Sequence, residues 1–135
     1  MIIDGITVAR GNVVSQADDL QARAEAFADL SIKFVLGLPD TPVARRMAGQ
    51  YQDSSSSAAA NYRAARRARS HAEFIAKIGL VSEEADESVF WLTRLRNAGI
   101  HSTAASLDTL LKEAEELARI FGASYRTAKR HKRRE

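Results

Sequence analysis

The distribution of proline restricts most of this chain to helices. Pro39 and Pro42 lie close together, and residues 43–135 contain no proline. Glycine is also sparse there, while apolar residues recur every three or four positions, which is the period of an α-helix. The sequence therefore predicts an all-α protein. Four long helices joined by short connections favour an antiparallel up-and-down four-helix bundle.

The first two helices have clear boundary signals. Ser15 and Asp18 are typical of a capping box, so helix 1 is expected over about residues 15–36, where Gly37 can end it. Thr41-Pro42 then supplies an N-cap and a first turn that tolerates proline.

The last two helices are bounded in the same way. Ser70 and Glu73 form a second capping box, and Asn97-Ala98-Gly99 is expected to end helix 3. Helix 4 begins near residue 102 or 103. It either ends at Gly122 or continues through the basic C-terminus.

The chain is expected to divide into three parts: an N-terminal extension or arm (1–14), the bundle (15–125) and a basic tail (126–135). The first part holds apolar pairs that predict either a short strand or an arm that docks on a neighbour.

Residues 54–70, SSSSAAANYRAARRARS, look like a linker but fit a helix. On a helical wheel a seam of mostly small or polar residues spans an arc of about 80°, and the arginines lie on the opposite side. The predicted seam residues are Val43, Met47, Gln50, Ser54, Ala58, Asn61, Ala65 and Ala68.

Composition excludes some classes of protein. The chain has no cysteine, which rules out disulfides and thiolate chemistry. Its start is a poor signal peptide, and no apolar run approaches the roughly 18 residues of a membrane span. We therefore expect a cytoplasmic protein with no membrane partner.

Positive charge is concentrated in two blocks. Residues 45–69 and 126–135 each carry six basic side chains and one acidic side chain, although the net charge of the whole chain is only +3. Such asymmetry indicates an anionic partner, RNA or DNA.

Three segments carry a family resemblance: SAAANYRAARRARSHAEFIAKI, EEADESVFWL and LLKEAEEL. Over residues 18–125 the chain resembles the four-helix-bundle family of 23S rRNA intervening-sequence proteins. The resemblance implies no catalytic residues and no cofactor. The family is similar to accessory proteins of diversity-generating retroelements, which implies a homopentamer with a basic surface that binds nucleic acid and a reverse transcriptase.

The predicted nucleic-acid site combines the helix 2 arginines with the tail. Cations spaced along a helix suit phosphates, and Tyr62 could stack on an unpaired base. The predicted residues are Tyr62, Arg63, Arg66, Arg67, Lys129, Arg130, Lys132, Arg133 and Arg134. The alternative is a structural or protein-interaction module whose arginines pair with the Glu84/Glu87 face of helix 3.

An enzyme is the less favoured hypothesis. Each histidine follows an arginine by five positions (Arg66/His71, Arg96/His101, Arg126/His131), a spacing that resembles the HEPN ribonucleases. Fifteen arginines make such pairs easy to obtain, so we predict no catalytic residue. The histidines also lack the spacing of metal ligands.

Phe90 and Trp91 are the candidate oligomer interface. Two adjacent aromatic residues on a helix cannot both face one core stripe, so one is expected to contact a neighbouring subunit. The alternative is one large core in which both rings are partly buried.

Overall fold

A computed structural model describes the backbone of residues 2–3, 6–9 and 12–134, and the side chains of residues 15–131. Its helices are α1 (Gln16–Leu36), α2 (Pro42–Ala65), α3 (His71–Asn97) and α4 (Ala104–Arg134). They form the predicted four-helix bundle, in which successive helices pack against each other.

The N-terminal segment contains strands. The strands β1 (Ile2–Ile3), β2 (Ile6–Ala9) and β3 (Asn12–Ser15) form an antiparallel sheet in the order β1-β2-β3. Its register pairs Ile3 with Ile6 and Val8 with Val13. β3 leads directly into α1. The segment forms strands, as its apolar pairs predicted, although three short ones and not a single strand.

The predicted helix caps are confirmed. The hydroxyls of Ser15, Thr41 and Ser70 each accept a hydrogen bond from the backbone N–H three residues later, at 2.9, 3.1 and 3.1 Å. α3 ends at Asn97 with Ala98 as its C-cap, and the next residue, Gly99, has a left-handed φ of 69°. The N–H of Ile100 then bonds the carbonyl of Leu95 at 2.9 Å, as in a Schellman motif.

α4 follows the second of its two predicted alternatives and continues past Gly122 to Arg134. Residues 126–134 are therefore part of the helix that lines the core. α3 and α4 stay close along this part, because Nε2 of His71 lies 3.0 Å from the carbonyl oxygen of Ala128 and a Cβ at Gly79 would lie 3.0 Å from Cε1 of the preceding Tyr125.

The predicted seam of α2 is partly wrong. Val43 is 61% exposed and Gln50 is exposed, whereas Tyr51 and Tyr62 are buried. The buried stripe is rotated by about 80° from the prediction. Small residues flank both sides of the two tyrosines, so the largest side chains decide which face packs inward. Ser54, Ala58 and Ala65 are buried as predicted.

Hydroxyl groups are buried within this core. Tyr51 is fully buried and its hydroxyl lies 2.6 Å from Oγ of Ser31, which also donates to the carbonyl of Phe27 at 2.7 Å. Ser54 and Ser88 join α2 to α3 in the same way, at 3.0 Å. These contacts give polar groups on three helices the partners that burial requires.

Candidate nucleic-acid interface

The C-terminal part of the first basic block, residues 63–69, lies at the same end of the bundle as the second block. Nε2 of His71, at the start of α3, lies 3.0 Å from the carbonyl oxygen of Ala128 in the last part of α4. The end of α2 is at the same level, since it precedes α3 by only five residues. We call the exposed cations here the cationic end: Arg63, Arg67, Arg69, Arg126, Lys129 and Arg130.

Arg63 and Arg67 are exposed, as predicted. Among the described side chains, neither has a carboxylate oxygen within 4.0 Å. Lys129 lies 5.0 Å from the ring centre of Tyr125, and Arg130 donates to the hydroxyl of Thr127 at 3.2 Å. These four cations therefore remain accessible to an anion.

The side chains of Lys132, Arg133 and Arg134 lie outside the described residues. Their backbone belongs to α4.

Arg66 is bound to side chains of α1 and is not available to an external anion in the way that Arg63 and Arg67 are. Its guanidinium donates to Oδ1 of Asp18 at 2.6 Å and to Oε1 of Gln21 at 2.7 Å, and thereby joins α2 to α1. The hydrogen bond from Arg66 lowers the pKa of the Asp18 carboxyl group, and a hydrogen bond from the side chain of Ser15 adds to this effect. The rotation of α2 explains the contact, because it moves Arg66 to the edge of the packed face.

The expectation that Tyr62 offers an exposed ring for base stacking is wrong. Tyr62 is only 6% exposed, and its ring centre lies 5.1 Å from that of Phe121 in the core. Burial raises the pKa of its hydroxyl. The same rotation of α2 that brings Arg66 to α1 turns Tyr62 inward.

The acidic face of α3 does not pair with the arginines of α2 within the described side chains. Glu87 accepts a hydrogen bond from Nε1 of Trp91 at 3.3 Å. Partial burial and the neighbouring carboxylates of Glu87, Glu83 and Asp53 raise the pKa of Glu84. Among the described side chains, neither Glu84 nor Glu87 has a basic nitrogen within 4.0 Å, unlike the ion-paired face of the alternative hypothesis.

The aromatic pair on α3 faces two ways. Trp91 packs partly against the core, whereas Phe90 is 48% exposed, with its ring edge-on to Trp91 and the guanidinium of Arg94 5.2 Å from its centre. This geometry agrees with the expectation that one ring faces outward.

Two grooves flank the outer face of α4 near the cationic end. The α1–α4 groove, of about 470 Å³, is lined by Gln16, Ala17, Asp19, Leu20, Arg23, Tyr62, Ile120 and Ser124. The α3–α4 groove, of about 570 Å³, is lined by His71, Phe74, Arg119, Ile120, Ala123, Ser124, Thr127, Ala128 and His131.

Sequence reasoning missed the second groove as a site. It considered His71 only as a catalytic candidate and proposed no role for Phe74 in binding. The available signal was the helical spacing of His71 and Phe74, three residues apart and thus on one face of α3.

Two of the three histidines, His71 and His131, line the α3–α4 groove, whereas His101 lies in the connection at the other end of the bundle. His71 contacts Ala128, His131 is exposed, and Nδ1 of His101 is buried without a hydrogen-bond partner among the described residues. Within the same part of the chain, no three His, Asp or Glu side chains cluster as metal ligands would. None of the described helices is long and apolar enough to cross a membrane.

Comparison with known proteins identifies a similar fold. No protein-family profile matches the chain, and no curated protein matches it. One matching solved structure is the crystal structure of a protein of unknown function from the S23 ribosomal protein family of Bacteroides thetaiotaomicron VPI-5482. It is 25% identical, with a TM-score of 0.69, and the match covers 78% of this chain and 97% of that chain. This likeness fits the resemblance to the intervening-sequence proteins.

Proposed function

We propose that this protein is a non-enzymatic, oligomeric four-helix-bundle module that binds RNA or DNA through the phosphates of the strand. The observation that carries the proposal is the cationic end, where basic residues from the end of α2 and from the end of α4, far apart in sequence, lie together. Arg63 and Arg67 are exposed there, with no carboxylate beside them among the described side chains.

Phosphate binding is the chemistry that such a surface favours. Each cation that neutralises a phosphate releases condensed counterions, so affinity depends strongly on salt. Arginine and lysine contacts to phosphates position a strand without reading its sequence. Arg66 and Tyr62 are omitted from the proposed surface, because one is ion-paired and the other is buried.

The oligomeric state is part of the proposal. The resemblance implies a homopentamer, and the exposed ring of Phe90 is the surface that we assign to contact between copies. A ring of five subunits would present five cationic ends, so modest affinity at each would add up through multivalency. A reverse transcriptase is a further proposed partner if one is encoded beside this protein.

The proposal of a non-enzymatic role is supported by the separation of the Arg66/His71 pair. The guanidinium of Arg66 faces Asp18 on α1, while the ring of His71 contacts α4. An arginine and a histidine that share a phosphate in catalysis would have to converge on it.

One observation favours a protein-interaction module as the second candidate. Phe90 and Leu80, both on α3, are 48% and 43% exposed and so present apolar surface to a partner. In that case the cationic end would serve solubility alone.

A fluorescence-anisotropy titration with RNA and DNA over a salt series tests the proposal, once light scattering has fixed the mass of the protein. The double variant Arg63→Gln/Arg67→Gln should weaken binding and reduce the slope of log K against log [salt] by about 1.4 for single strands, or about 0.7 per phosphate contact.

The matched control is Arg46→Gln/Arg96→Gln, which removes the same charge from exposed positions at the other end of the bundle. It should leave the slope unchanged. Absence of binding at low salt, or equal effects of the two double variants, would refute the proposed surface.

A further inference from the structure

The α3–α4 groove adjoins the cationic end and has aromatic walls. His71 and Phe74 lie on α3, with ring centres 6.4 Å apart and planes only 25° apart. Both are half-buried, so part of each ring borders the groove. Opposite them, Ala123, Ser124 and Thr127 on α4 are small and leave the space open.

The ring of His71 has a fixed orientation. Nε2 lies 3.0 Å from the carbonyl oxygen of Ala128, and a carbonyl oxygen only accepts hydrogen bonds. Nε2 must therefore carry the proton and donate it. This bond holds the imidazole plane in place beside Phe74, so the aromatic wall is formed before any ligand arrives.

The charges around the two grooves differ. The residues that line the α3–α4 groove include no carboxylate, and Arg119 at its edge is 72% exposed, with only a long 3.7 Å contact to Glu116. The α1–α4 groove contains Asp19, and its Arg23 is held by Glu113 at 2.6 and 2.8 Å. A ligand that carries phosphates is therefore favoured in the α3–α4 groove.

We infer that the α3–α4 groove receives an unpaired base of a strand whose phosphates lie on the cationic end. A base has flat apolar faces that stack on aromatic rings and polar edges that Ser124 and Thr127 can bond. Bases in a duplex are stacked and paired, so the groove selects single-stranded nucleic acid. This inference rests on the proposed function and adds the class of ligand.

An abasic strand isolates the contribution of the base. Anisotropy titrations at one salt concentration compare a single-stranded oligonucleotide with one of equal length and charge that lacks its bases. Stacking of one base is worth about 1–3 kcal/mol, so the abasic strand should bind about fivefold more weakly or worse.

Two variants place the effect in the groove. Ala123→Leu fills the groove from an exposed position on α4 and should remove most of the preference for the strand with bases. Ala105→Leu, also exposed on α4 but near its other end, is the matched control and should keep that preference. Arg63→Gln/Arg67→Gln should reduce the affinity for both oligonucleotides by the same factor.

The outcomes separate the two proposals. If both oligonucleotides bind equally, or Ala123→Leu keeps the preference, the base site is refuted while phosphate binding stands. If neither binds at low salt, the proposed function itself fails. If Ala123→Leu changes the mass measured by light scattering, the groove is a contact between copies of the chain and the base site is refuted.

Discussion

The buried hydroxyl pair of Ser31 and Tyr51 allows a prediction that follows from counting protons. Ser31 has one hydroxyl proton, which it donates to the carbonyl of Phe27 at 2.7 Å. The 2.6 Å contact between the two side chains must therefore be a donation from Tyr51 to Ser31. Burial raises the pKa of Tyr51 above its ordinary value of 10, so its hydroxyl keeps its proton at neutral pH.

The two single substitutions should have unequal costs. Ser31→Ala leaves the hydroxyl of Tyr51 buried without an acceptor, which costs about 1–3 kcal/mol. Tyr51→Phe removes the donor but leaves Ser31 bonded to Phe27, so only a net hydrogen bond of about 0.5–1.5 kcal/mol is lost.

The double variant gives the decisive comparison. Ser31→Ala/Tyr51→Phe has no buried hydroxyl that lacks an acceptor, so it should be more stable than Ser31→Ala alone. Urea denaturation followed by circular dichroism measures all four free energies of unfolding. The assignment of the donor would be wrong if Tyr51→Phe cost more than Ser31→Ala, or if the two costs simply added.

Four further predictions concern stability. Gly49→Ala should stabilise the protein by about 0.5–1 kcal/mol in thermal denaturation. Gly49 lies within α2, where alanine is favoured over glycine, and a Cβ there would meet no other atom within 4 Å. Gly79→Ala should gain less, since its Cβ would press on Tyr125; an equal gain would contradict the close contact. Phe121→Ala should cost about 3–5 kcal/mol in urea denaturation, because its side chain is fully buried; a cost below 1 kcal/mol would contradict this packing. Glu84→Gln should stabilise the protein at pH 7, because a raised carboxyl pKa means that the ionised form is penalised in the folded state. That gain should vanish below the ordinary pKa of 4.5, where glutamate is neutral too, and a gain that persists in acid would refute this origin.

Much of the fold could be read from local signals. Ser15, Thr41 and Ser70 are caps that act within three residues, and Gly99 ends α3 through its own backbone, so the sequence alone located these boundaries. The inward face of α4 is equally local in origin, because leucines recur on it at helical spacing and are buried: Leu107, Leu110, Leu111 and Leu117.

Which side of α2 packs into the core could not be predicted from local signals. Its alanines and serines fit either side of the helix, and the choice depends on where Tyr51 and Tyr62 find space among the other helices. That is a property of the packed bundle. The errors at the candidate site follow from this one rotation, which buries Tyr62 and ties Arg66 to Asp18.

The α3–α4 groove also depends on tertiary structure. His71 and Phe74 could be placed on one face of α3, but the small residues opposite them come from a segment about fifty residues later. Only the antiparallel packing of α3 and α4 brings the two walls together.

The continuity of α4 has a consequence for the thermodynamics of binding. From Ala104 to Arg134 the helix contains no proline, and its one glycine, Gly122, lies where a Cβ would be 3.7 Å from the hydroxyl of Ser82. The backbone that carries Lys129 and Arg130 is thus preorganised by the same core that holds Leu117 and Phe121. A bound strand would lose conformational entropy on this surface, while the protein backbone would lose little.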